Sequence, residues 1–203
     1  IEAMMQNGWA LQAGTSHFLG QNFAKAFDVT FQNKEGAREL VWATSWGVST
    51  RLVGAVVMTH SDDSGLVLPP TVAPIQVVII PVFKEKDREE ILAATETLEA
   101  VLKPHYRVKV DARAHLRPGA KYFEWERKGV PLRLEIGPRD LVKGNAFAAP
   151  RVGGQKFGLP LDDAVAQVRV ALDSIQSFLL ERARENQRGN TYPVASREEF
   201  VQL

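Results

Sequence analysis

The chain holds 203 residues, 45% hydrophobic and 24% charged, enough for a core, so disorder is excluded as its default state. A formal net charge of +1 gives no whole-chain pull toward an acidic partner, so any such role must rest on local patches. The lack of cysteine excludes disulfides, thiolate nucleophiles and thiolate metal sites from this segment, and fits a reducing compartment.

The start, "IEAMMQNGWALQ", is neither a signal peptide nor an initiator end, and "SREEFVQL" stops without a closing feature. The chain is therefore expected to be a piece of something longer. No apolar run approaches the ~20 residues of a membrane span. "QAGTSHFLG" is rich in glycine and hydroxyls, and "QNFAKAF" reads as a short helix. "DVTFQ" and "ELVWATSW" alternate as an antiparallel pair around the turn "NKEGAR". "STRLVGAVVMTH" reads as a helix apolar nearly all round, hence buried. "LVLPPTVAP" holds three prolines, which resist helix and central strand, and marks a domain boundary.

Strands and helices then alternate. "IQVVIIPV" is a β-branched run suited to a strand buried on both faces. Asp87 and Glu90 have the spacing of a capping box, followed by a helical stripe of Ile91, Leu92, Thr95, Leu98, Val101 and Leu102. "YRVKVDAR" is a second strand. "PGAKYFEWERKG" is a helix with Pro118 near its start and Gly129 just past its end. "VPLRLEIG" alternates as a third strand, and "AFAAPRVG" reads as a weaker fourth, placed at an edge by Pro150. A long helix runs from about Asp162 to Gln187, one face carrying Val165, Val168, Leu172, Ile175, Leu179 and Arg182. This order predicts a mixed sheet with helices on it, in an α/β (α+β) chain.

Arg51 opens the apolar helix, where the dipole opposes a cation and helix stability does not ask for one. Arginine plus helix N-terminus suits an anion, and its flat cation can stack on a ring. A surface arginine at a loop end is the alternative. Gln12, Thr15, Ser16 and His17 alternate with small residues and suit either a solvent-facing strand or a polar floor under a small ligand. His17, His60, His105 and His115 have no metal-ligand spacing, so no zinc site is expected. "HSDDSG" reads as a solvated turn at a helix end. In "KYFEWERKGVPLRLEIGPRD", Lys121, Glu126, Arg127, Lys128, Arg133 and Arg139 mix with Tyr122, Phe123 and Trp125. Such a mixture can stack and hydrogen-bond single-stranded RNA bases. Amphipathic packing, with Phe123 or Trp125 in the core, is the better account of at least some of these aromatics.

Taken together, "ALQAGTSHFLGQNFAKAF", "TSWGVSTRLVGAVVMTHSDDSGLVLPPTVAPIQVVIIP" and "PGAKYFEWERKGVPLRLEIGPRDL" resemble prolyl-tRNA synthetase, a class II aminoacyl-tRNA synthetase, in its eukaryote- and archaea-like form. "GVSTR" looks like the third class II signature motif. The resemblance implies the end of an antiparallel-sheet catalytic domain over 1–70, an anticodon-binding domain with a mixed sheet over 71–183, and the start of a further region over 184–203. It implies proline–tRNA ligase chemistry on L-proline, ATP with Mg2+, and tRNA(Pro), in a cytoplasmic enzyme that is a homodimer at full length. Gln12, Thr15, Ser49 and Arg51 would contact ATP, with Arg51 on the adenine and Gln12 near magnesium. His17, Trp46 and Gly47 would line the proline pocket. Glu126, Arg133 and Arg139 would read the anticodon guanines, and Tyr122 would stack.

Such a reaction relies on positioning and charge neutralisation, so the lack of a nucleophile–base pair is expected. Where family members commonly carry "HGDDRGL", this chain has Ser61 and Ser64, and that loop is assigned no role. The family's first two motifs, with the arginine that grips the α-phosphate, would precede residue 1, so the fragment is expected to be inactive alone. A noncatalytic RNA-binding module is the alternative, and a nucleotide-binding regulatory protein without an RNA partner a weaker third.

Overall fold

A computed structural model describes residues 1–202. The chain divides into two compact units, Ile1–Val56 and Val57–Leu203.

The first unit is built from two-stranded ribbons. β1 (Glu2–Met4) pairs antiparallel with β2 (Ala10–Gln12), and β3 (Thr15–Gly20) leads into helix α1 (Asn22–Phe27). β4 (Thr30–Gln32) pairs with β5 (Arg38–Leu40), and β6 (Ala43–Gly47) returns along β3. The stretch expected as one strand, "ELVWATSW", is thus two strands with different partners, broken at Val41 and Trp42. Helix α2 (Arg51–His60) crosses the division between the units. It is not the buried helix its composition suggests: Ala55 is its buried residue, while Val53 is 70% exposed.

The second unit carries a five-stranded mixed sheet in the order β11-β10-β9-β7-β8. β7 (Val77–Pro81) is central, parallel to β8 (Val108–Val110) and β9 (Leu132–Ile136). β10 (Asn145–Pro150) and β11 (Phe157–Pro160) continue antiparallel beyond β9. A 3-10 turn leads into α3 (Arg88–Leu102), the crossover from β7 to β8. α4 (Pro118–Arg127) connects β8 to β9 on the other side of β7, so right-handed crossovers put the two helices on opposite faces. Short α5 (Pro138–Val142) follows β9, long α6 (Ala164–Gly189) follows β11, and α7 (Arg197–Gln202) comes last.

Two apolar layers result. On one face Val77, Ile79, Leu132, Leu134 and Ile136 meet Ile91, Leu98 and Leu102 of α3 and Val168 and Leu172 of α6. On the other, Val78, Ile80 and Val130 meet Trp125 of α4. β7 is fully buried along its length, as its unbroken β-branched run requires.

Two further expectations need correction. The Asp87 side chain makes no cap, because a 3-10 turn over Glu85–Asp87 already supplies the entry to α3. β10 lies inside the sheet; Pro150 is tolerated because it ends the strand, and the edge falls to β11. The proline-rich stretch is tied into the second unit: Arg107 donates to Ala73 O (2.8 Å), Pro70 O (2.9 Å) and Thr71 O (3.2 Å).

Candidate ligand and nucleic-acid sites

A cleft of about 230 Å³ in the first unit is lined by Gln12, Ala13, Gly14, Thr15, Gly47, Val48, Ser49 and Arg51. It brings together all four residues expected to contact ATP. Arg51 Nη1 donates to Gln12 Oε1 at 3.2 Å, a contact spanning 39 positions in sequence. The Ser49 hydroxyl accepts from the Arg51 N–H at 3.4 Å, covering one of the free amides at the start of α2. The cleft offers a guanidinium, hydroxyls and a carboxamide but no carboxylate, so a divalent cation there would have to arrive with phosphate oxygens of its own.

The register of β3 and β6 separates the residues expected around proline. Thr15 faces Gly47 and His17 faces Ser45, while Ser16 faces Trp46 and Phe18 faces Thr44. Directly opposed residues share a face and neighbours alternate, so His17, Thr15, Gly47 and Ser45 lie on one side and Trp46 with Phe18 on the other. Trp46 is 76% exposed there, beside Phe18, whose ring stacks on Trp42 at 5.8 Å. The Trp46 side chain therefore cannot wall a pocket built on His17.

A second cavity of about 280 Å³ lies in the second unit, lined by Val78, Trp125, Glu126, Val130, Arg133, Ala149, Pro150, Arg151 and Lys156. Alternation along β9 puts Arg133 and Glu135 on the α4 side of the sheet. Arg133 Nε donates to Glu135 Oε1 at 3.0 Å, and its guanidinium lies 4.3 Å from the centre of the Tyr122 ring. The Tyr122 hydroxyl donates to Glu135 Oε2 at 2.7 Å, and burial with that carboxylate pushes the phenol pKa up. Arg133 thus covers the Tyr122 ring. By contrast, nothing among the described residues hydrogen-bonds the Glu126 carboxylate. Arg139 does not line this cavity; it stands exposed on α5, past the far end of β9.

Packing claims two other members of the charged run. Lys121 is buried, with Nζ donating to Asp111 O at 3.0 Å, and Trp125 Nε1 donates to Asp111 Oδ2 at 2.8 Å. Phe123 remains exposed. Sequence reading did not single out Arg151 and Lys156; their signal was a loop, "RVGGQK", that follows a strand and carries two cations. No group of His, Asp or Glu among the described residues could hold a metal ion, and no described helix is long and apolar enough to cross a membrane.

Similarity to known proteins extends over both units. Residues 76–171 match the family described as "Anticodon binding domain". The chain is 54% identical over 205 residues to a proline–tRNA ligase of Salinibacter ruber, covering 100% of this chain and 42% of that protein. It is 50% identical over 202 residues to one of Amoebophilus asiaticus, covering 98% of this chain and 41% of that protein. Among solved structures, prolyl-tRNA synthetase from Cryptosporidium parvum complexed with L-proline and AMP matches with a TM-score of 0.92 at 41% identity, over 100% of this chain and 44% of that one. The chain spans about two-fifths of the length of these relatives.

Proposed function

This chain belongs to the prolyl-tRNA synthetase family, and on that premise we propose that it supplies part of the ATP and proline sites and the anticodon-reading site of a proline–tRNA ligase. The first 70 residues serve the catalytic domain, 71–183 bind the anticodon, and 184–203 begin a further region. In the first cleft Arg51, flat and permanently charged, lies on adenine and neutralises phosphate, with Gln12, Thr15 and Ser49 around it. Gln12 would stand toward the magnesium that arrives with the nucleotide. His17 and Gly47 line the proline pocket from the shared face of β3 and β6, and Trp46 contributes its backbone alone.

In the second cavity Glu126 accepts from guanine's N1–H and N2–H2, an edge that a carboxylate matches and a phosphate contact would not use. Arg133, laid on Tyr122, offers the flat surface for a base, and Arg139 meets a neighbouring anticodon guanine from outside the cavity. The observation that supports the reading is the unpartnered Glu126 carboxylate in a cavity whose other charged lining residues are Arg133, Arg151 and Lys156. A noncatalytic RNA module would have no need for the Gln12–Arg51 contact in a second cleft.

Binding of the 203-residue chain to a proline anticodon stem-loop tests this. Glu126→Gln is expected to lower the preference for guanine over inosine by roughly tenfold. An unchanged preference would sink the anticodon assignment.

A further inference from the structure

Arg151 ends up at the rim of the second cavity, yet its side chain is only 5% exposed. A buried guanidinium needs its donors answered. Nε donates to Leu66 O and to Glu126 O, each at 3.2 Å. Nη1 donates to Asp62 Oδ2 at 2.9 Å, and Nη2 donates to Asp62 Oδ1, a two-pronged ion pair. The turn bearing Asp62 cannot drift away. Leu66 N donates to Arg127 O at 3.0 Å, and a Cβ on Gly65 would stand 2.5 Å from the Arg127 Cα. Asp62 Oδ1 also accepts from Ser64 N at 3.0 Å.

Arg151 and Glu126 line the same cavity, and Arg151 already touches the Glu126 backbone. An unneutralised guanidinium at that place would pair with the free carboxylate that lines the same cavity, which is Glu126. Asp62 takes it first. The Arg151 bond also holds the Asp62 carboxyl below its usual range.

We propose that Asp62 is a positioning residue for guanine recognition: by engaging Arg151 it leaves the Glu126 carboxylate unpaired for the base. This rests on the anticodon reading of the second cavity. It gives a role to the loop for which the family resemblance supplied none.

The test uses the whole 203-residue chain and a proline anticodon stem-loop with guanine or with inosine, which lacks the N2 amine. The proteins are wild type, Glu126→Gln, Asp62→Asn, Asp62→Ser and the double variant Asp62→Asn/Arg151→Gln. Asp62→Ser keeps an acceptor for Ser64 N while dropping the charge, and serves if Asp62→Asn folds poorly. Both charge-removing variants are expected to lose guanine preference by about tenfold. Overall affinity holds or rises, and the log–log salt dependence steepens by about 0.7 as the freed cation meets a phosphate. The double variant, without the stray cation, regains the preference. A purely structural role would weaken both stem-loops equally and leave the double variant as indiscriminate as the single. That pattern, or wild-type preference in Asp62→Asn and Asp62→Ser, overturns the proposal. If wild type shows no guanine preference, or Glu126→Gln leaves it intact, the anticodon reading fails and the proposal falls with it.

Discussion

Asp111 shows how much one side chain can organise. Its side chain is 1% exposed and accepts from Arg113 Nε (2.8 Å), Arg113 Nη2 (2.7 Å) and Trp125 Nε1 (2.8 Å). Arg113 first, then Trp125, hold its carboxyl well below the usual carboxylate range against the opposing effect of burial. A depressed folded pKa contributes stability above the unfolded value near 4, lost as pH falls through the folded one. Asp111→Asn is therefore expected to cost ~2–3 kcal/mol at pH 7, with the gap from wild type closing as pH drops below about 4. Urea unfolding across pH measures it, and a gap constant with pH would contradict the ion-pair account. Gly129 is demanding in another way. Its φ is +72°, and a Cβ would stand 2.7 Å from Leu66 Cβ and 2.8 Å from Leu66 C. Gly129→Ala should cost ~2 kcal/mol or more by the same measurement. Sequence showed Gly129 as a helix stop, because C-terminal glycines have a local signature. It could not show that Lys121 and Trp125 are drawn inward by Asp111, ten and fourteen positions away, since such pairs exist only once β8 and α4 are packed.

At the scale of elements, burial separates two apolar segments that look alike in composition. Ile79 lies in β7, fully buried between layers, whereas Val53 in α2 is 70% exposed. Ile79→Ala should cost ~3 kcal/mol or more, and Val53→Ala less than ~0.5 kcal/mol, read from denaturant midpoints. Comparable losses would mean that α2 is covered in solution. The contrast also explains what was legible. β7, α3, α4, β9 and α6 carry periodicities their own packing partners enforce, and they formed where the pattern put them. "FGLP" holds a glycine and a proline in four positions and owes its strand state to pairing with β10, which no local pattern records. α2 misleads for the converse reason: its apolar composition reports a demand for cover, and among the described residues of this chain only Ala55 obtains it.

Across the whole molecule, the buried apolar side chains lie overwhelmingly in Val57–Leu203, where two clusters tie the sheet to its helices and a third packs α6 against Val67. In Ile1–Val56 those found among the described residues are Met5, Ala24 and Ala55, while Trp9, Phe18, Phe27, Trp42 and Trp46 are exposed. Paired two-stranded ribbons without a shared core are marginal, so the two units should not unfold together. Prolines disfavour helix and strand but say nothing about docking, and Arg107 docks the proline-rich stretch within the second unit. Trp125 supplies a direct test, since it is the one tryptophan of the four in the second unit. An already solvated indole changes its emission little on unfolding, whereas Trp125, buried and bonded to Asp111, must shift to the red. Urea unfolding followed by tryptophan fluorescence should therefore report the second unit alone, with its transition abolished in Trp125→Phe. Amide exchange in β3 and β6 should be complete at urea concentrations where β7 and β9 remain protected. A single coincident transition by both measurements would show that the first unit draws its stability from the second.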